Sequence, residues 1–149
     1  MELKRRVRSR FLSFFRDIIL YHSSSLEFRA ELLALMIAAN KEMNECELIL
    51  LEQVAQEIYP NDEARVDVLV RIVREFVQKV IDNNGLDINE LIDKIQYELK
   101  VESRFYEKID IGMLKRFIAC GQSDAHTQLI QRRIIEFLEI EVQNFRNLR

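Results

Sequence analysis

The residues best suited to chemistry are three glutamates in one short polar stretch, KEMNECE. Glu42, Glu45 and Glu47 lie within six consecutive residues. Hard divalent cations prefer several carboxylate or carbonyl oxygens that converge on one point. Lys41 adds a positive charge beside them, and glutamates also stabilise the partly positive start of a helix. We therefore predict a capped turn without a metal, and keep weak metal binding by the three glutamates as the alternative.

A second polar stretch, residues 82–90, has the composition of a calcium loop but not its spacing. An EF-hand loop needs glycine at its sixth position and a side-chain ligand at its first and twelfth. With Gly85 placed sixth, Val80 falls first and Leu91 falls twelfth. Neither side chain can bind a cation, so this stretch predicts a helix end followed by a helix start.

The residues of a catalytic triad occur close together near the C-terminal part of the chain. Ser123, Asp124 and His126 lie too near one another in sequence to point at each other as a triad requires. His22 and His126 have no histidine or cysteine four positions away, and the chain has no glycine-rich phosphate loop, zincin motif or CxxC pair. We predict that the protein is not an enzyme and that it uses no metal and no cofactor.

The two cysteines, Cys46 and Cys120, form no CxxC motif and stand far apart in the sequence. Two such cysteines make a disulfide framework improbable, and intracellular proteins keep most thiols reduced. We therefore predict two unpaired cysteines that act as small apolar side chains, and a cytoplasmic location.

The elements that must position these residues are predicted to be helices. The chain has 149 residues, 48% of them hydrophobic, with three glycines and one proline. So few turn residues argue against a strand-rich fold, and apolar residues recur at helical spacing. The predicted fold class is all-α: one compact bundle of about seven helices. The longest apolar run, residues 32–39, is too short to cross a bilayer.

Several helix starts are marked by a capping residue followed three positions later by glutamate. This pattern occurs at Ser24 with Glu27, at Asn44 with Glu47 and at Asp87 with Glu90. Asn61 and Ser123 are predicted to cap two further helices, because both side chains accept hydrogen bonds from free backbone N–H groups. The sequence leaves open whether residues 105–120 form one helix or break near Asp110.

Two stretches of the chain resemble each other. Residues 37–49 align with residues 118–130 at a constant offset of 81 positions, and each stretch consists of an apolar segment, a polar loop and a second apolar segment. A core of two pseudo-repeated helical hairpins would explain the similarity. Any two helical hairpins also share a few identities, so both explanations stay open.

The stretch around KEMNECE resembles the TerB, or tellurite-resistance, family and the related helical domain of membrane-anchored DnaJ-like co-chaperones. The matching positions are Leu35, Ile37 and Ala38 in the first helix, Met43 and Asn44 in the loop, Glu47 at the acidic position that follows it, and Leu50 and Leu51 at the start of the next helix. Asn40 and Lys41 stand where that family usually has aspartate and glycine. The resemblance implies a TerB-like bundle, a loop often proposed to bind a divalent cation, and a link to envelope or metal and tellurite stress.

The first 22 residues differ from the rest in charge. They carry six basic and two acidic residues, a net charge of +4, which leaves −7 on the remainder of a chain whose total is −3. We predict a basic amphipathic helix over residues 1–22 and a TerB-like helical domain over residues 23–149. The candidate membrane or partner face consists of Arg5, Arg8, Phe11, Phe14, Phe15 and Ile18. It suits an anionic membrane surface, a homodimer interface, or packing on the acidic body.

The predicted function is that of a non-catalytic cytoplasmic interaction or scaffold protein whose protein partner the sequence does not identify. One alternative is a peripheral module at the inner face of a membrane, bound to anionic lipid through residues 1–22. Another is a helical nucleic-acid-binding regulator, supported only by Arg132, Arg133, Arg146 and Arg149. The acidic net charge of −3 makes nucleic acid an improbable partner.

Overall fold

A computed structural model describes residues 24–82, 87–121 and 124–148 of the chain. The predicted helix over residues 1–22 and its candidate face (Arg5, Arg8, Phe11, Phe14, Phe15 and Ile18) lie outside the described residues. The same is true of His22 and of the proposed boundary between residues 22 and 23. The predictions for these residues therefore stay predictions.

The part of the chain that the structure describes is an all-α bundle of about seven helices, as predicted. In the described ranges the elements are α1 (Ser24–Ala38), α2 (Glu45–Ile58), α3 (Glu63–Ile81), α4 (Ile88–Val101), a first 3-10 helix (Ser103–Lys108), α5 (Ile111–Lys115), a second 3-10 helix (Arg116–Gly121) and α6 (Ala125–Asn147). Within these same ranges, no helix is both long enough and apolar enough to cross a membrane.

Helix α1 forms the centre of the bundle. Every residue from Ala30 to Ala39 is buried, which is the pattern of a helix enclosed on all sides. The helix packs against α3, α4, α5, α6 and both 3-10 helices. Near its start, the ring of Phe28 stacks on Phe105 of the first 3-10 helix with the ring centroids 4.8 Å apart.

The surrounding helices bury one side each. Helix α3 contributes Val68, Leu69, Ile72, Val73, Phe76 and Val77 to the core. Helix α4 contributes Leu91, Ile95 and Leu99. These residues recur at spacings of three and four, which places them on one side of a helix of 3.6 residues per turn. The apolar pattern of the sequence therefore predicts which sides face α1.

Two of the predicted helix caps are confirmed. Asn44 caps α2 in a complete capping box with Glu47. Asp87 caps α4, and its Oδ1 atom accepts a hydrogen bond from the Glu90 backbone N–H at 2.7 Å. Both caps depend only on residues close in sequence, which is why the sequence suffices to find them.

Two other predicted caps are wrong by one residue. Helix α3 is capped by Asp62, and α6 by Asp124. Asn61, the residue predicted to cap α3, has a positive φ of 60°. Asparagine tolerates this left-handed conformation better than most residues. Asn61 therefore lies in the turn, and Asp62 caps the helix.

The segment between α4 and α6 is broken, which settles the question that its sequence left open. A 3-10 helix ends at Lys108, and α5 begins at Ile111. Asp110 caps the short α5, because its Oδ1 atom accepts a hydrogen bond from the Met113 N–H at 3.1 Å. The break allows this segment to change direction between α1 and α6, both of which contact α5.

Candidate functional site

The polar turn between α1 and α2 is held by a reciprocal pair of hydrogen bonds. The Oδ1 atom of Asn44 accepts from the Glu47 N–H at 2.8 Å, and the Asn44 N–H donates to Oε1 of Glu47 at 3.3 Å. This capping box satisfies two backbone donors that a helix start otherwise leaves free. The predicted capped turn is therefore present.

Glu47, the residue at the acidic position of the family resemblance, faces the interior. Its side chain is only 1% exposed, and its Oε1 atom also accepts a hydrogen bond from Nδ2 of Asn40 at 3.0 Å. Burial raises the pKa of Glu47, and the hydrogen bonds from Asn40 and Asn44 oppose that rise. The contacts seen for Glu47 thus organise the turn itself.

The prediction of two unpaired cysteines is wrong: Cys46 and Cys120 form a disulfide bond. Their Cα atoms lie 5.5 Å apart although the residues are 74 positions apart in sequence. Cys46 is exposed in the first turn of α2, and Cys120 is partly exposed near the end of the second 3-10 helix. Nδ2 of Asn44 also donates to the Cys120 carbonyl oxygen at 3.2 Å. The disulfide and this hydrogen bond therefore join two distant parts of the chain at one point.

The two similar stretches of sequence, residues 37–49 and 118–130, meet at this disulfide. The first stretch runs from the end of α1 to the start of α2, and the second includes the end of the second 3-10 helix and the start of α6. Their helix starts are out of register by one residue, because at the offset of 81 the cap Asp124 corresponds to Met43 and not to Asn44. The same offset pairs Cys46 with Thr127. The similarity therefore holds in outline, and the disulfide links positions that are not equivalent.

The three glutamates considered as metal ligands do not share an environment. Glu42 and Glu45 are exposed, whereas Glu47 is buried. In the described ranges, no group of three or more His, Cys, Asp or Glu side chains is placed to hold a metal ion. The turn thus separates the carboxylates that a hard cation would need to find together.

Asp124, one of the residues of the apparent triad, is engaged at the start of α6. Its Oδ1 atom accepts hydrogen bonds from the backbone N–H groups of His126 at 3.0 Å and Thr127 at 3.4 Å. Its Oδ2 atom accepts from the Thr127 hydroxyl at 2.8 Å. These bonds lower the pKa of Asp124, and the bond from the Thr127 hydroxyl has the largest effect. The carboxylate thus serves as a helix cap.

An open cleft of about 410 Å³ lies beside α2, α5 and the first 3-10 helix. Several charged groups on its wall already have partners. Arg29 donates to the Tyr59 hydroxyl at 3.2 Å, and Arg116 forms an ion pair with Glu57 at 2.6 Å. The wall carries three basic and three acidic side chains, so the cleft has no single sign of charge that would select an ionic ligand.

No family model, curated protein or solved structure matches this chain. The TerB-like resemblance therefore stays a prediction, which is based on matching residues between positions 35 and 51. The site itself is defined by its geometry, as the disulfide-linked junction of Asn40, Asn44, Cys46, Glu47 and Cys120.

We expect Asn44→Ala to lower the free energy of unfolding by about 1 to 2 kcal/mol, because it removes a helix cap and the hydrogen bond to Cys120. Asn44→Ser keeps a capping hydroxyl and loses only the amide that bonds to Cys120, so its effect should be smaller. Urea unfolding followed by circular dichroism measures both.

Asp87→Ala is the matched control, because Asp87 caps α4 through the Glu90 N–H. It should cost about 1 kcal/mol, as expected for the loss of a cap. If Asn44→Ser were as stable as the native protein, the bond from Asn44 to Cys120 would make no net contribution.

Proposed function

We propose that the protein is a non-catalytic interaction or scaffold module of TerB-like type. The observation that carries this proposal is the two-sided character of α6, a helix of 23 residues. Its inner side packs on the bundle through the buried residues Thr127, Gln131, Ile134, Ile135 and Leu138. Its outer side exposes apolar side chains that the bundle does not use.

The exposed apolar residues of α6 have a definite arrangement. Leu129 is 50% exposed and Ile140 is 59% exposed. They are eleven positions apart, which is about three helical turns, so both point to the same side of the helix. Single exposed apolar residues are normal on a protein surface, but a repeated position on one side of a long helix is typical of a binding face.

Helix α6 is held firmly against the bundle, which suits a binding face that must keep its shape. Nε2 of Gln131 donates to the Met36 carbonyl oxygen at 3.0 Å. Lys115 of α5 forms an ion pair with Glu139 at 3.4 Å. Further along, the ring of Phe145 stacks on Tyr106 with the centroids 4.2 Å apart. A surface on a rigid element binds with a smaller loss of conformational entropy than a mobile loop.

The residues with the most chemical character also support a role without catalysis. Glu47 forms the capping box of α2, and Asp124 caps α6. Both carboxylates therefore contribute to the fold at the places where the sequence first suggested a reaction or a metal site.

The link to envelope or metal and tellurite stress follows from the resemblance alone. The cytoplasmic location was predicted from two unpaired cysteines, and the Cys46–Cys120 disulfide removes that argument. The membrane alternative depends on residues 1–22, which lie outside the described residues. The exposed face of α6 favours a protein partner.

Site-specific photocrosslinking in cells tests the proposed function. A photoreactive phenylalanine analogue is introduced at position 129 or at position 140, and at position 53 as the control. Gln53 is exposed on α2, like the two test positions on α6. We expect irradiation to produce a discrete protein adduct at positions 129 and 140 and none at position 53. The absence of an adduct at both α6 positions would reject the proposal, as would the same adducts at all three.

A further inference from the structure

The outer side of α6 carries four exposed residues whose order has a simple symmetry. They are Leu129, Arg133, Glu136 and Ile140, at successive spacings of four, three and four. This alternation keeps side chains on one side of a helix, as in the contact line of a coiled coil. The outer two residues are apolar, and the inner two carry opposite charges.

The spacing of this face is the same in both directions, and its reverse places apolar residues opposite apolar residues and each charge opposite the other sign. Leu129 lies five positions before Ile134, and Ile140 lies five positions after Ile135. Arg133 and Glu136 flank the same midpoint at one position each. If a second α6 runs antiparallel about a twofold axis at this level, each Leu129 meets an Ile140 and each Arg133 meets a Glu136. A twofold interface needs this kind of self-complementarity.

The two central charges are available for such a contact. Within the described part of the chain, neither Arg133 nor Glu136 takes part in an ion pair. Both side chains are exposed. A second copy would provide an opposite charge for each of them, and the two pairs would fix the register by opposing any shift that brings like charges together.

We propose that α6 is a homodimer interface, in which the face formed by Leu129, Arg133, Glu136 and Ile140 packs antiparallel against the same face of a second copy of this chain. This inference rests on the proposed function and specifies it, because it identifies the partner as the protein itself. Two complementary charge pairs with an apolar contact on each side distinguish this occupant from an unrelated partner.

The interface is small, so the dimer is weak. The line of contact from Leu129 to Ile140 spans about 16 Å at 1.5 Å per residue. Interfaces at the small end of the size range belong to transient complexes. We expect monomer and dimer to exchange with a dissociation constant on the order of 10 to 100 μM.

Charge reversal provides a specific test on the full chain by sedimentation velocity. Arg133→Glu alone places two glutamates opposite each other at both symmetric positions, and Glu136→Arg alone does the same with two arginines. Each variant should dimerise at least tenfold more weakly than the native protein. A mixture of the two variants should form a heterodimer about as strong as the native dimer, because every facing pair again has opposite charges.

Arg71→Glu is the control, since Arg71 is exposed on α3 and its reversal changes the net charge equally. It should leave the dissociation constant unchanged. The inference is overturned if the native protein stays monomeric up to 1 mM, if either single reversal leaves dimerisation unchanged, or if the mixture does not restore it. A monomer that still forms a photoadduct with a different protein at position 129 would reject the second copy and leave the interaction module in place.

Discussion

Replacing both Cys46 and Cys120 by serine is expected to lower the free energy of unfolding by about 4 kcal/mol. The disulfide joins residues 74 positions apart, and a cross-link over a loop of this length restricts the unfolded chain strongly. The estimate of about 4 kcal/mol follows from the loop-closure entropy of such a loop. Urea unfolding of the oxidised native protein and of the double variant gives the difference directly.

The reduced native protein provides an independent comparison. Reduction removes the same cross-link without a mutation, so its unfolding curve should nearly coincide with that of the double variant. Thiol titration under denaturing conditions should find no free thiol before reduction and two after it, since the two cysteines are bonded to each other. An unfolding midpoint that does not change on reduction would contradict the expected stabilisation.

The disulfide also shows which part of the candidate site could be predicted from the sequence. The capping box of Asn44 and Glu47 depends on residues three positions apart, and such a local pattern is visible in the sequence. The pairing of Cys46 with Cys120 depends on how the second 3-10 helix packs against α2. That contact is set by the whole bundle, so the spacing of the cysteines alone could not reveal it.

The helices themselves were predictable because apolar spacing records which side of each helix is buried. The helix boundaries that differ from the prediction have local causes. Asn61 adopts a positive φ, so Asp62 caps α3 in its place. In the same way, the break at Asp110 follows from an acceptor side chain that caps a new helix in mid-segment. Such a cap competes with continuation of the helix, and the sequence alone does not decide between them.

The burial of Glu31 is a feature that the apolar pattern could have indicated. Glu31 directly precedes the apolar run of residues 32–39, and its side chain is 0% exposed. An unbroken apolar run over two helical turns places apolar side chains on every side of the helix, which predicts a helix enclosed on all sides. A polar residue at its edge is then enclosed as well, and the structure places this carboxyl group in the core between α1 and α4.

The surroundings of Glu31 favour its protonated form. Burial, together with the neighbouring carboxyl group of Glu98, raises the pKa of Glu31 from 4.5 to about 9. Lys94 opposes this rise, as its Nζ atom lies 3.0 Å from Oε1 of Glu31. The Lys94 side chain is itself 43% exposed and also approaches Glu27 at 3.8 Å, so its charge is partly screened by water and divided between two carboxyl groups. Burial therefore has the larger effect.

This raised pKa predicts that the protein loses stability as the pH rises. Between pH 4.5 and about 9 the folded state holds a proton on Glu31 that the unfolded chain has released. Stability from this group is therefore complete below pH 4.5 and falls with increasing pH, by about 1.4 kcal/mol per pH unit at most. Glu47 acts in the same direction, because its pKa is also raised. Lys94, whose pKa is raised above 10.5, adds stability that is lost only above this range.

Glu31→Gln isolates the contribution of Glu31, because glutamine has nearly the same shape and no acidic proton. The variant should resemble the native protein in stability at pH 5 and exceed it at pH 8, with a smaller slope between them that reflects Glu47. Glu52→Gln, at an exposed position on α2, should leave the native slope intact. Unfolding free energies from urea titrations across this pH range measure the three slopes. Parallel curves for Glu31→Gln and the native protein would show that Glu31 is ionised in the folded bundle and that its contact with Lys94 outweighs its burial.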